Sequence, residues 1–130
     1  MRGAGKSGLS RAAGAALGVP VHDLDDDLLT EFAKGSLAAL PHAAASDGPP
    51  TTVAGIIAAF GWTAFREAET ELLARRIGPS ATLGGSSARC IVSCGGGIVE
   101  SDAARSLLLA HIAAGGSVIE VRCACRPDTR

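Results

Sequence analysis

The sequence predicts an α/β fold in which helices pack on a parallel sheet. Three short apolar runs, VPVHDLD, ARCIVSC and SVIEV, have the composition of buried strands. Segments with helical periodicity separate these runs, and strands that alternate with helices pair in parallel. The chain has 130 residues, of which 47% are hydrophobic, so it suits one domain with one core. Much of that fraction is alanine, which buries little area, so we expect a thin core.

The first helix is predicted from apolar residues that recur at the spacing of one helical face. These residues are Leu9, Ala12, Ala13, Ala16 and Leu17. We therefore expect this face to point inward. Gly18 and Pro20 are signals that end the helix.

The run VPVHDLD is predicted to be a short buried strand that ends in acidic residues. Asp23 and Asp25 are two residues apart, so on a strand their side chains would face the same side. A second helix can run from Asp25 to Phe32, with acids in its first turn, where the helix dipole favours them. Asp26 and Asp27 are interpreted as solvated residues of that first turn.

The middle of the chain predicts an irregular segment followed by two helices. Residues 33–50 have no sustained period and are rich in Ala, Ser, Gly and Pro, so we expect a flexible insertion. A short apolar helix is predicted over 53–60, Gly61 should break it, and a longer helix follows over 62–76. Its predicted inward residues are Phe65, Ala68 and Leu72, and its predicted outer ion pair is Glu71–Arg75.

The last third of the chain predicts a strand, a helix and another strand. The strand ARCIVSC runs into three glycines, and Ser101 is a suitable N-cap for a helix that ends near Ala114. The run SVIEV, residues 117–121, is predicted to be a third strand. The final residues show no period, and we expect them to fray.

Composition argues against several classes of protein. The formal net charge is −1, which gives no global reason to expect binding to nucleic acid or to a membrane surface. No stretch approaches the roughly 18 apolar residues of a membrane span. The four cysteines, Cys90, Cys94, Cys123 and Cys125, lack zinc-site spacing, which favours reduced thiols. We expect a soluble cytoplasmic protein.

The first chemical motif is RGAGKS near the N-terminus. Gly5, Lys6 and Ser7 satisfy the second half of the phosphate-binding pattern G-x4-G-K-[ST], whose first glycine would precede Met1. Glycines allow backbone N–H groups to form an anion site, Lys6 can reach terminal phosphates, and the Ser7 hydroxyl can ligate Mg²⁺. The alternative is a glycine-rich terminus with a chance lysine.

Three further motifs each allow a functional and a structural interpretation. Of Asp23 and Asp25, one could hold Mg²⁺ through water and the other could accept a proton from an attacking hydroxyl, but such a cluster also suits a solvated helix start. Arg66 in FREAE could bind a substrate, or could be a surface residue paired with Glu69 or Thr70. The glycines of CGGGIVE could approach a ligand closely, or could form a tight turn.

In this order, the motifs MRGAGKS, LGVPVHDLD, GWTAFREAE, CGGGIVE and SVIEV resemble the shikimate kinase family. The chain is most similar to the shikimate kinase domain of the fungal pentafunctional AROM polypeptides. That resemblance implies a P-loop kinase-like three-layer fold with a parallel sheet, here lacking the first strand and the lid region. It also implies transfer of the γ-phosphoryl group of ATP to the 3-hydroxyl of shikimate, in aromatic amino-acid biosynthesis.

The resemblance implies roles for individual residues. The ATP-binding loop would comprise Gly3, Ala4, Gly5, Lys6, Ser7 and Gly8. Lys6 would be catalytic and would contact the phosphates, Ser7 would ligate Mg²⁺, and Asp23 would help to hold Mg²⁺ through water. Asp25 would be catalytic and would bind the ring hydroxyls of shikimate, including the one phosphorylated, and Arg66 would pair with its carboxylate. The backbone of Gly95, Gly96 and Gly97 would close over the ring.

Residues 1–130 are therefore expected to form a single partial kinase domain, and the resemblance implies that this domain could be part of a larger multifunctional polypeptide. We expect weak or absent activity from it alone. One alternative is a non-catalytic, metabolite-sensing module that resembles the fungal quinate-pathway repressor. Another is a different small P-loop kinase that acts on gluconate or a nucleotide.

Overall fold

The computed structural model describes residues 5–40, 50–78 and 89–122. In chain order its elements are α1 (Lys6–Leu17), β1 (Val21–Asp23), α2 (Leu24–Ala33), α3 (Val53–Ile77), β2 (Ile91–Ser93), a 3-10 helix (Gly96–Glu100) and α4 (Asp102–Ala113). The two strands pair in parallel, with Val21 opposite Ile91 and Asp23 opposite Ser93. The described residues therefore form a mixed α/β structure that is mostly helical, and the predicted parallel pairing is confirmed.

The strand β1 is shorter than the run VPVHDLD because a helix cap ends it. Asp23 has an extended backbone, and its carboxylate accepts a hydrogen bond from the Asp25 backbone N–H. That bond satisfies a free donor of the first helical turn. The prediction that Asp23 and Asp25 share one strand face is therefore wrong: Asp25 lies in the first turn of α2.

The third predicted strand, at residues 117–121, does not form. Val118 and Ile119 have exposed fractions of 48% and 83%, and no strand of the described residues pairs with them. A strand requires a neighbour for its N–H and C=O groups. Apolar, β-branched composition does not supply that neighbour.

The face by which α1 packs also differs from the prediction. Leu9 and Leu17 are exposed, and the buried residue of the helix is Gly14. A Cβ atom at Gly14 would overlap the Val21 side chain and would lie 3.0 Å from the Val19 carbonyl oxygen. The helix thus packs by close approach of its backbone to β1, which the smallest residue permits.

The core lies between α2, α3 and α4. Its buried apolar residues are Leu24, Leu28, Phe32, Leu37, Leu40, Ile56, Phe65, Ala68, Leu72, Leu73, Ile98 and Ala104. The predicted inward residues of the longer helix are therefore buried. Gly61, with φ of 87°, interrupts α3 as predicted, because few side chains tolerate that backbone conformation.

Ion pairs form within α3 and between α3 and α2. The predicted Glu71–Arg75 pair is present at 2.6 Å. Arg76 donates to Asp27 from Nε at 3.1 Å and from Nη2 at 2.9 Å. The interpretation of Asp27 as a solvated residue is therefore wrong, since it links α2 to α3.

The irregular segment after α2 is tied to α3. Arg75 donates to the Ser36 carbonyl oxygen at 2.7 Å, and the segment contributes Leu37 and Leu40 to the core. Residues 41–49 lie outside the described residues, so the flexibility expected of 33–50 stays a prediction. None of the described helices is long and apolar enough to cross a membrane.

Candidate active site

The candidate site lies where the two parallel strands end. β1 ends at Asp23 and β2 ends at Ser93, directly before Cys94 and the three glycines. Parallel strands bring their carboxyl ends to the same edge of a sheet, which is where such folds bind ligands. The N-terminus of α1 is at this edge too, because Ser7 Oγ donates a hydrogen bond to Asp23 Oδ2 at 3.2 Å.

Among the described residues, no side chain caps the start of α1. Gly5 occupies the N-cap position with φ of 73° and has no side chain to accept a hydrogen bond from the first helical N–H groups. These donors, together with the helix dipole, favour an anion at this position. Gly8 is exposed, and a Cβ atom there would meet nothing within 4 Å. Gly3 and Ala4 lie outside the described residues.

One carboxylate, that of Asp23, connects three elements. Its Oδ1 accepts from the Asp25 N–H at 3.0 Å, and its Oδ2 accepts from Ser7 Oγ. Asp23 thereby fixes the start of α2 relative to α1 and β1. The pair of oxygens from Ser7 and Asp23 is of the kind that Mg²⁺ prefers. Within the described residues, no group of three or more His, Cys, Asp and Glu could hold a metal ion.

Arg66 is held at both edges of its guanidinium group. Nη1 lies 2.7 Å from Glu69 Oε2, and Nη2 lies 3.2 Å from Glu100 Oε2. The guanidinium carbon lies 5.1 Å from the Trp62 ring centroid and 5.5 Å from that of Phe65, within the range of a cation–π contact. The expected pairing with Glu69 exists, but Glu69 is buried and Arg66 is not a free surface residue.

The burial of Glu69 was not predicted from the sequence. Its exposed fraction is 1%, and burial raises the pKa of its carboxyl group, while the hydrogen bond from Arg66 lowers that pKa. Asp25 and Glu100 raise it further through their charges. The spacing of Arg66 and Glu69 signalled the pair, but no local pattern signalled that one partner would be buried.

The glycines after β2 accommodate this ion pair. A Cβ atom at Gly97 would overlap the Arg66 guanidinium, and one at Gly95 would lie 3.2 Å from Glu69 Oε1. Gly96 begins the 3-10 helix. Gly95 and Gly97 therefore have a packing role here, because each leaves space beside a charged group of α3.

Cys94 is a partly buried thiol whose pKa depends on several of the predicted site residues. Burial raises the pKa of the Cys94 thiol to about 11, and the charge of Glu69 adds to that rise. Lys6 lowers the pKa, while Asp23 and Asp25 raise it. Cys94 directly follows β2, whose last residue Ser93 lies opposite Asp23, so it is next to the sheet edge at which Ser7 donates to Asp23. Cys90 and Cys94 are free thiols.

Two cavities adjoin this region. The larger, of about 530 Å³, is a groove between α3 and the start of α4, and it is lined by Trp62, Thr63, Arg66, Glu67, Thr70, Glu100, Ser101 and Ala103. The smaller, of about 110 Å³, lies beside α1, and it is lined by Ser7, Ser10, Arg11, Val21, Asp23, Asp26 and Ser93. Arg66 opens onto the first cavity, Ser7 and Asp23 open onto the second, and Asp25 lines neither.

Comparison with known protein families matches this chain to shikimate kinase over residues 49–123. Among curated proteins, the chain is similar to pentafunctional AROM polypeptides. It is 35% identical over 121 residues to that of Eremothecium gossypii and 34% identical over 121 residues to that of Pneumocystis carinii, in each case over 93% of this chain. It is 35% identical to that of Yarrowia lipolytica over 100% of this chain. The chain spans 6–7% of the length of these relatives. No solved structure matches it.

Proposed function

Because the chain belongs to the shikimate kinase family, we propose that it forms the site at which ATP phosphorylates the 3-hydroxyl of shikimate. The observation that carries this proposal is the geometry of one sheet edge. Ser7, which follows Lys6, donates to Asp23, and Asp23 lies opposite Ser93, directly before Cys94 and the three glycines. Glu69 holds Arg66, and both pack beside the glycines that follow β2, so the proposed phosphate-binding and carboxylate-binding groups would adjoin one another. The family implies a P-loop kinase fold, and the parallel β1–β2 pair fits it. The three-layer arrangement is part of our proposal.

The N-terminus of α1 would hold the terminal phosphates of ATP. The predicted loop Gly3–Gly8 overlaps α1, which begins at Lys6, and among the described residues no side chain caps the first N–H groups of this helix; such groups bind phosphate oxygens. The Lys6 ammonium would add positive charge at the β- and γ-phosphates.

Ser7 and Asp23 would hold Mg²⁺, Asp23 through water. Their oxygens are 3.2 Å apart, and a hydroxyl with a carboxylate is a suitable partial ligand set for a cation that keeps several waters. A bound Mg²⁺ neutralises charge on the transferring phosphoryl group. To bind the water on Mg²⁺, Asp23 Oδ2 would give up the hydrogen bond that it accepts from Ser7. Asp23 Oδ1 would still accept the hydrogen bond from the Asp25 N–H that caps α2.

Arg66, Asp25 and the three glycines would bind shikimate. The planar guanidinium of Arg66 suits a carboxylate, which it can bind through two parallel hydrogen bonds. Gly95, Gly96 and Gly97 would present backbone close to the ring. Asp25 is exposed at the start of α2, where its carboxylate could orient the 3-hydroxyl and accept its proton.

The test is binding and phosphoryl transfer in four variants. We expect Lys6→Ala to weaken binding of Mg·ATP and Arg66→Ala to weaken binding of shikimate, each by about tenfold or more, since hydrogen bonds to charged groups contribute about 1.5–3 kcal/mol. Each variant should retain the other ligand. Lys34→Ala and Arg122→Ala are matched controls, because these exposed residues pair only with Glu31 and Glu120 among the described residues.

Calorimetry with a coupled ATP/shikimate assay distinguishes the outcomes. Phosphorylation of shikimate that is lost in Lys6→Ala supports the proposal. Binding of shikimate or quinate without any binding of Mg·ATP would indicate a metabolite-sensing module instead. Phosphorylation of gluconate or a nucleotide, and not of shikimate, would indicate a different small kinase.

A further inference from the structure

The two partners of Arg66 differ in how firmly they are held. The Glu69 side chain is 2% exposed and the Glu100 side chain is 71% exposed. Glu69 is part of α3 and is enclosed beside Gly95. Glu100 is the last residue of the 3-10 helix, and among the described residues its one ion pair is with Arg66. Glu69 is thus a fixed partner, whereas Glu100 can turn into solvent at little cost.

Glu100 pairs with the nitrogen of Arg66 that Glu69 does not use. Nη2 pairs with Glu100 and Nη1 pairs with Glu69, and both Arg66 and Glu100 line the larger groove. A carboxylate ligand that enters the groove would need the Nη2 edge. It would therefore compete with the Glu100 carboxylate for the same hydrogen-bond donors.

We propose that Glu100 is a displaceable substitute for the ligand carboxylate and that it sets the affinity of the groove for anions. This proposal rests on the proposed function only in naming shikimate as the anion. With Glu100 in place, Arg66 and its two carboxylates carry a net charge of about −1, which repels an anion. When Glu100 turns away, Arg66 and Glu69 are neutral as a pair, and one edge of the guanidinium is open.

Selectivity follows from this exchange. A ligand with a correctly placed carboxylate replaces the pairing that Arg66 loses when Glu100 leaves. A neutral ligand of the same shape cannot replace that pairing. If it binds, either the Arg66–Glu100 pair stays in place or Arg66 keeps Glu69 as its one ion-pair partner among the described residues. Glu100 would thereby lower the affinity of the groove for every anion. It would be displaced only by ligands whose carboxylate replaces the hydrogen bond between Glu100 and Arg66.

Trp62 provides the measurement. It is the only tryptophan of the chain, it lines the groove, and the Arg66 guanidinium lies over its ring. Its fluorescence should therefore respond when a carboxylate displaces Glu100. We would titrate the wild type and Glu100→Gln with acetate and with shikimate at constant ionic strength. We expect the Kd of each anion to fall by about three- to tenfold in Glu100→Gln, because one nearby negative charge is removed.

Two controls separate this effect from a general loss of charge. Glu67→Gln removes the same charge from an exposed residue of the same groove that makes no ion pair among the described residues, and we expect a change of less than about twofold. The methyl ester of shikimate, which lacks the anion, should bind Glu100→Gln no more tightly than it binds the wild type.

The acetate arm keeps this inference separate from the proposed function. Acetate binding that is equal or weaker in Glu100→Gln, or absent from both proteins, would overturn the role of Glu100. Tighter acetate binding in Glu100→Gln with no shikimate binding in any variant would support Glu100 and contradict the proposed substrate. An equal gain in Glu67→Gln would also overturn the inference, since it would show a general charge effect.

Discussion

The Arg66 guanidinium occupies the space that a Cβ atom at Gly97 would need. Gly97 therefore fixes where Arg66 can lie, although it has no side chain of its own. We predict that Gly97→Ala displaces the guanidinium and weakens shikimate binding by about tenfold, similar to the loss of a charged hydrogen bond. Calorimetry of the variant against the wild type measures this change.

Gly95→Ala is the matched comparison for Gly97→Ala. A Cβ atom at Gly95 would lie 3.2 Å from Glu69 Oε1, which a small shift of that side chain can relieve. The effect on shikimate binding should therefore be smaller than that of Gly97→Ala. If both variants bound shikimate as tightly as the wild type, Arg66 would not be positioned by the glycines.

The two oxygens of Asp23 have separable roles, which predicts different outcomes for two substitutions. Asp23→Ala removes the cap of α2 and should lower the free energy of unfolding by about 1 kcal/mol. Asp23→Asn keeps a capping oxygen and should stay closer to the wild type in stability. Both variants should bind Mg·ATP more weakly, because each lacks the carboxylate charge that would hold Mg²⁺.

Urea unfolding and ATP titration in parallel measure both effects. Asp23→Asn is the informative variant, since its stability and its affinity should separate. Unchanged Mg·ATP binding in a folded Asp23→Asn protein would show that Asp23 is a structural residue only.

The packing of α1 on β1 predicts an unusual cost for an alanine in a helix. Gly14→Ala should destabilise the protein by about 1–3 kcal/mol, because its Cβ atom would overlap the Val21 side chain. Gly8→Ala, in the same helix with open space around it, should instead gain about 0.5–1 kcal/mol. Urea unfolding gives both values.

A second substitution tests the proposed contact. Val21→Ala should remove most of the cost of Gly14→Ala, so the double mutant should be more stable than the two single changes predict by addition. Additive effects would mean that Val21 is not the residue that Gly14 accommodates.

Burial raises the pKa of Cys94 to about 11, which predicts slow alkylation of the native protein. The thiolate is the reactive form, so at pH 8 the folded thiol stays protonated, and its reactivity should rise only as the pH approaches 11. Cys90, which is exposed, should react first. Peptide mapping after timed iodoacetamide treatment measures each site, and denaturation in urea should remove the protection of Cys94. Equal rates for the two cysteines at pH 8 in the folded protein would contradict the partial burial of Cys94.

The longer helices could be predicted because local pattern decides them. In α3, the apolar spacing of Phe65, Ala68 and Leu72 and the break at Gly61 both appear as predicted. Periodicity works there because one face meets a core that is continuous along the helix. The cap at Ser101 is likewise a local signal, and its hydroxyl accepts from the Ala104 N–H at 3.3 Å.

Three features could not be predicted from local sequence patterns, because each depends on contacts between residues that are distant in the sequence. The inward face of α1 was predicted wrongly because close approach to Val21 favours Gly14 over larger apolar residues. The run at 117–121 has strand composition but no described neighbour to pair with. Glu69 packs beside Gly95, which follows β2. The residues around Glu69 in α3 do not indicate that contact.

The sequence predicted which residues belong to the candidate site. It did not predict the contacts that position those residues. Lys6, Asp23, Asp25 and Arg66 came from motifs and their resemblance to a family. The roles of Glu100 and Trp62 around Arg66 require knowledge of how the 3-10 helix meets α3. Sequence motifs report the groups that touch ligands more readily than the groups that orient them.

The central claim is that the ligands of Lys6 and Arg66 occupy one site. The most direct measurement is the proton relaxation of shikimate in the presence of the protein, Mn²⁺ and a non-hydrolysable ATP analogue. We predict faster relaxation, greatest for the proton on the carbon that carries the 3-hydroxyl, and loss of the effect in both Lys6→Ala and Arg66→Ala. Binding of both ligands without any enhanced relaxation of shikimate would place them on separate surfaces and would contradict the account.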